Sequence, residues 1–190
     1  MLEKLVMENR TCRSFDPNVR ATRERMLSLV ELARCTASGM NRQPLRYRIL
    51  DRKEDLAKMM QNCRFGSALR DVKLPPAGME PTGFILIFTD TDAASPLHLA
   101  MTDVGIAAQT IQLAATEQGL GGCMLASFDP ERLCADFDIP ARYVPRLAIA
   151  LGGRAEKAAI VDEHDGSLTY YRDENGTHVV PKRKLSDILI

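Results

Sequence analysis

The sequence predicts one domain of mixed helices and strands, and three observations carry that reading. Residues 97–118 repeat apolar side chains at helical spacing over about six turns. Two continuous apolar runs, residues 83–88 and 147–151, have the length and character of strands buried on both faces. At 190 residues, 45% hydrophobic and 26% charged, the chain is long enough to enclose one sizeable core.

Taken in order, Leu2, Leu5, Val6 and Asn9 line one face of a short first helix. Residues 18–22 form a polar connection ending at Thr22, an N-cap with Glu24 in the first turn. Met26, Val30, Ala33 and Ala37 then recur at helical spacing. Residues 46–50 alternate as a strand, and 53–60 read as a helix. Pro75, Pro76, Gly78 and Pro81 make residues 70–82 a loop and the segment expected to move most. In the long helix, Leu97, Ala100, Met101, Val104, Ala107, Ala108, Ile111, Ala114 and Ala115 form a broad stripe. It reads equally as a central core helix and as one that also meets another subunit. Residues 119–122 end that helix and 123–126 are a short strand. Asp129 caps the next helix with Pro130 at its first position, and Phe128 and Leu133 suit a hydrophobic staple. Beyond Gly152 the composition turns polar. Residues 173–176 carry Asn-Gly between Tyr170-Tyr171 and His178-Val180, a hairpin signal. The domain is expected to span 1–190, with 153–190 an extension that packs on the body or on a partner subunit.

Lys plus Arg and Asp plus Glu both total 25, a net charge of zero, which disfavours a broadly basic nucleic-acid-binding face. The first ten residues mix charge into every turn, unlike a secretory signal. The longest plain apolar stretch, 84–88, is far too short to cross a bilayer. No nucleic acid, no membrane and a cytoplasmic location are expected. The five cysteines are odd in number with no CxxC, and His98, His164 and His178 lack ligand spacing. Free thiols in a reducing compartment, without disulfides or a metal, follow.

Four segments carry groups suited to chemistry. Arg10, Thr11 and Arg13 place two guanidinium groups and a hydroxyl at the first helix's end, a set that suits a phosphate monoester or, equally, a solvated basic turn. Cys12 between them reads as a thiol of lowered pKa or an ordinary buried one. Residues 37–44 gather Ser38, Asn41 and Gln43 before Pro44. Their amides match the edge of a flavin or nucleobase, and the segment also reads as a polar loop. Gly119, Gly121 and Gly122 offer close backbone approach to a flat ring or a helix-ending turn. With Met124 where a third glycine would stand, and a strand following, they are not a dinucleotide fingerprint. Residues 181–185 hold Lys182, Arg183 and Lys184, a phosphate grip or a solvated cationic stretch.

The order and spacing of these segments resembles the nitroreductase family over nearly the whole chain. Arg10-Thr11-x-Arg13 is similar to its Arg-Ser-x-Arg phosphate segment, and Ser38-x-x-Asn41-x-Gln43-Pro44 to its Ser-x-x-Asn-x-Gln-Pro. Asp103, Gly105 and Gln109 on the long helix, then Gly-Leu-Gly-Gly-Cys, residues 147–152, and a closing Tyr171-Arg172-Asp173 with Pro181-Lys182 continue the match. The resemblance implies an α+β fold with a central, mostly antiparallel sheet flanked by helices, and an intertwined homodimer with FMN at its interface. It gives Arg10, Thr11 and Arg13, with Lys182 and Lys184, to the ribityl phosphate. Ser38 goes to the ribityl chain or ring, Asn41 to the pyrimidine edge, and the backbone of Gly121 and Gly122 to the N5 side, with Gln43 among the cofactor-binding residues. Leu45 replaces the aromatic that often follows Gln-Pro, and the region 52–83, which often shapes the substrate pocket, is compact.

The activity implied is hydride transfer from NADH or NADPH through flavin N5 to a small acceptor such as a nitroaromatic or quinone, in ping-pong turnover. No side chain need be a catalytic acid or base, because the flavin carries the chemistry. A flavin-binding storage or sensing module uses the same residues without steady turnover. A plain interaction protein with basic segments is colourless.

Overall fold

The computed structural model describes residues 1–66 and 73–190, in two compact units, Met1–Arg154 and Ala155–Ile190. In the first unit β5 (Tyr143–Arg154) is the hub of a five-stranded antiparallel sheet. One edge of β5 carries β3 (Gly83–Asp90), with Gly83 opposite Leu151, and then β1 (Phe15–Asp16), with Phe15 opposite Arg154. The other edge carries β4 (Leu120–Leu125), with Gly122 opposite Leu151. β2 (Leu45–Leu50) adds to the far side of β3.

β3 is buried at all eight positions because the sheet is covered on both faces. Phe84, Leu86 and Phe88 point into one cluster with Met59 of α3 (Lys53–Asn62) and Leu133 of α5 (Pro130–Asp136). Ile85 and Ile87 point into the other, with Met26 and Leu29 of α2 (Arg23–Arg34) and Ala107, Ala108 and Ile111 of α4 (Leu97–Glu117). Each such Leu, Ile or Phe contributes about 1.5–3 kcal/mol by leaving water. β5 runs four residues earlier than the apolar run suggested. Pro145 cannot donate to the ladder, and the register shifts between Ile87 and Phe88 to accommodate it.

The expected caps are present. The Thr22 side chain accepts the Arg25 N–H, and Asp129 accepts those of Glu131 and Arg132. Phe128 packs on the same cluster that buries Leu133. Helix α1 (Leu2–Glu8) ends with Asn9 as its C-cap, so Arg10 follows the helix end as expected. One reading changes. Strand β4 begins at Leu120, so Gly121 and Gly122 are strand residues; only Gly119, at φ +74°, makes the left-handed helix stop. Residues 73–82 are irregular, as the loop reading expects, while 70–72 lie outside the described residues.

On α4, Leu97, Met101 and Ile106 are exposed with Gly105, so the predicted stripe is buried only in part. No described helix is long and apolar enough to cross a membrane. No disulfide joins the cysteines among the described residues.

The second unit holds β6 (Ala158–Asp162), β7 (Tyr171–Arg172) and β8 (His178–Lys182) in the order β6-β8-β7. The hairpin β7–β8 forms as expected: Asp173 Oδ1 accepts the N–H of Asn175 at 3.0 Å and of Thr177 at 2.7 Å. β6 pairs β8 in parallel, a long-range contact that no local pattern signals. Arg172 donates to Glu156 at 2.6 Å, and the Tyr170 ring meets buried His178 edge-on at 5.1 Å.

Candidate functional site

The candidate residues of the first unit fall into two clusters, both anchored on α4. The first begins where α1 gives way to extended chain. Asn9 ties that chain to α4: its Nδ2 donates to Gln112 O at 3.1 Å and to Thr116 Oγ1 at 2.9 Å, and its Oδ1 accepts from Gln109 Nε2 at 3.3 Å. Thr11 then bridges Gly122 in parallel, with Cys12 N–H donating to Gly122 O at 2.9 Å. Arg10, Thr11, Gly121 and Gly122 are thereby brought together. Burial alternates from exposed Thr11 to buried Cys12, half-buried Arg13 and buried Ser14. The Arg13 stem passes Gly66: a Cβ there would lie 3.5 Å from Arg13 Cδ.

The two glycines have reasons of their own. A Cβ on Gly121 would stand 2.8 Å from both Cβ and Sγ of Cys12, and one on Gly122 would collide with the Gln112 side chain. Close packing inside the protein thus requires glycine at 121, against the Cys12 Cβ, and favours it at 122, where the Gln112 amide would have to move, independently of any ring.

Arg10 is the unusual member. Its Nη2 donates to Val6 O, while Nε is buried with no hydrogen-bond partner among the described residues. Burial first, and the nearby Arg154 guanidinium second, hold its pKa below the ordinary arginine value. An orphaned buried donor beside a second cation fits an oxyanion, and so fits the phosphate end of FMN.

The second cluster is residues 38–43. Asp103, buried on α4, accepts from Ser38 Oγ at 2.6 Å and from Gly39 N at 2.9 Å. Ser38 Oγ in turn accepts from Gln43 N at 2.9 Å, and Gln43 Nε2 donates to Asn41 Oδ1 at 3.1 Å. Met40, Asn41 and Gln43 all have positive φ, near +50°, a strained backbone that these bonds hold in place. Asn41 and Gln43 are exposed, so their amides face outward. Asp103 was legible as part of a motif, but its job as the loop's anchor was not. Burial first and Asp103 second push the neighbouring Tyr47 hydroxyl up to about 12.

Two cavities flank Tyr47. The smaller, about 130 Å³, is lined by Ser38, Gln43, Arg46 and Asp103 among others. The larger, about 480 Å³, opens along edge strand β2 between Arg23, Arg46, Arg48, Arg52 and Tyr143. It holds none of the predicted site residues. Its charge is largely neutralised within the fold by the pairs Arg23–Asp51 at 3.4 Å, Arg52–Asp55 at 3.5 Å and Arg46–Asp90 at 2.9 Å. In the second unit, Lys182 closes β8 and exposed Lys184 precedes a 3-10 turn at Leu185–Asp187.

The sequence model of the nitroreductase family matches residues 6–153, which hold every candidate residue of both clusters. The chain belongs to the nitroreductase family. Solved structures agree in fold. A nitroreductase family protein from Streptococcus pneumoniae TIGR4 superposes with a TM-score of 0.72 at 18% identity, over 100% of this chain and 99% of that one. A Desulfovibrio desulfuricans protein assigned as a nitroreductase, determined in complex with FMN, gives 0.68 at 21% identity, over 100% and 95%. CLA-ER, an enone reductase of gut-bacterial fatty acid saturation, gives 0.71 at 20% identity, over 86% and 93%. No curated protein matches the chain in sequence.

Proposed function

We propose that this member of the nitroreductase family is a cytoplasmic, FMN-dependent oxidoreductase that works as a homodimer. It takes a hydride from NADH or NADPH and passes it to a small acceptor such as a nitroaromatic, quinone or enone in ping-pong turnover. The carrying observation is Arg10, within the family-matched region, whose buried Nε has no hydrogen-bond partner among the described residues and whose guanidinium feels the charge of Arg154. The relative bound to FMN and the enone reductase of the same fold support the cofactor and the reaction class.

When bound, FMN supplies the two-electron chemistry at its ring. The chain's part is to bind and orient. Arg10, Thr11 and Arg13 hold the phosphate. Ser38 meets the ribityl chain, Asn41 and Gln43 offer amides to the pyrimidine edge, and the strand edge at Gly121 and Gly122 flanks the ring. Within one chain the Asp103 anchor and the Gln112 anchor are separated by about 13 Å of helix axis. A homodimer that sets one cluster against the other's partner copy is supported by exposed Leu2, Val6 and Met7 on α1 and Leu97, Met101 and Ile106 on α4.

The test is the visible spectrum of the purified protein, followed by anaerobic addition of NADH or NADPH. Flavin bands that bleach are expected. Bands that never bleach would leave a binding module without turnover, and a protein that stays colourless with added FMN would end the proposal.

A further inference from the structure

We infer that Arg154 is a phosphate-binding residue that acts with Arg10 on one phosphate monoester. The inference rests on the flavin reading above and adds to it a residue that neither the sequence motifs nor the family match contains, since the match ends at residue 153.

The placement is geometric. Arg154 ends β5, opposite Phe15. A Cβ on Gly121 would lie 3.4 Å from Arg154 Cα and 2.8 Å from Cys12 Cβ, so β4, β5 and the segment carrying Arg10 meet at one point. Arg154 is exposed there, and neither it nor Arg10 has an ion-pair partner among the described residues.

Two guanidinium groups held near each other without a counter-ion repel, and part of that repulsion registers as the lowered pKa of Arg10. A phosphate monoester carries about −1.5 to −2 charges at neutral pH and several acceptor oxygens. Placed between the two arginines it replaces repulsion by two attractions and offers an acceptor to the orphaned Arg10 Nε. The pairing invisible in the sequence is therefore Arg10 with Arg154, brought together by the β1–β5–β4 ladder.

The same chemistry is found at the FMN phosphate and on the phosphates of NADPH, and the experiment separates them. Full-length protein stripped of flavin is titrated with FMN and with riboflavin, following flavin fluorescence, as wild type, Arg154→Ala and Arg154→Lys. For Arg154→Ala the FMN Kd is expected to rise by about tenfold while the riboflavin Kd holds. Arg154→Lys recovers part of the loss. Arg154→Gln keeps the Cβ–Cδ stem without the charge and serves if the alanine variant folds poorly. Unchanged FMN affinity together with an unchanged KM for NADPH would overturn the inference and leave the flavin reading standing. A raised KM for NADPH, but not NADH, with FMN binding intact would keep Arg154 as a phosphate ligand and assign the monoester to the nucleotide. Wild-type protein that binds neither flavin would remove both the reading and the inference.

Discussion

The Arg10 segment and the loop of residues 38–43 both lean on α4, and they use charge in opposite ways. In the loop, the Asp103 carboxylate is consumed by the fold: Ser38 Oγ and Gly39 N–H both donate to it, and the reward is a strained backbone with two outward amides. In the Arg10 segment, shape comes from backbone pairing and glycine packing, and charge is left over, since Arg10 and Arg154 meet no carboxylate among the described residues. Charge spent on structure cannot recognise a ligand, whereas charge left unneutralised can. The first cluster is thus suited to select an anion, the second to read a neutral, hydrogen-bonding edge.

The strongest way to break the contrast is at Asp103. Asp103→Ala removes two bonds to a buried carboxylate and should cost about 3 kcal/mol, read as a shifted denaturation midpoint. A stability unchanged by it would mean that the loop holds its own shape. Next, Gly122→Ala should cost about 2 kcal/mol through collision with Gln112, and Gln112→Ala in the same chain should restore part of it. If Gly122→Ala instead kept full stability and lost only flavin, glycine would be there for the ring and not for packing.

Binding experiments sharpen the comparison further. Arg10→Ala should raise the FMN Kd by about tenfold and leave riboflavin untouched. Asn41→Ala should raise both flavins' Kd by a similar, smaller factor, about threefold, and shift the bound flavin's reduction potential. Equal losses of FMN and riboflavin in Arg10→Ala would erase the division of labour.

The smallest effect is on pH. Burial pushes the Cys63 thiol and, with Asp103 behind it, the Tyr47 phenol up to about 12, from ordinary values of 9.0 and 10.0. Both groups keep their protons in the folded state where the unfolded chain loses them. Their stabilisation is full below pH 9 and declines as pH rises from 9 toward 12. Denaturation midpoints at rising pH should show that decline, and Cys63→Ala should delay its onset; a flat wild-type profile would contradict it.

What was legible in the sequence is what local chemistry encodes. The buried strand β3, the caps at Thr22 and Asp129 and the Asn175-Gly176 turn each declare themselves within a few residues. What escaped depends on distant chain. β1 is two residues long and exists only because β5 reaches it. The extension of β5 through Pro145 has no alternating pattern, since its first five residues are half-buried. Arg154 gives no local sign of standing near Arg10. Likewise nothing local shows that Asn9, just past the end of α1 at Glu8, turns extended to bond α4.

The central place of β5 has a consequence for the growing chain. β1, β3 and β4 all precede in sequence the one strand to which all three pair. At ordinary synthesis rates, roughly 3–10 s separate the completion of β3 from the arrival of Tyr143. Through that interval β2 can cover one edge of β3, but the other edge, apolar without a break from Phe84 to Phe88, has no partner from its own chain. The segment best protected in the finished protein is therefore the one that a nascent chain most needs to have shielded by something else.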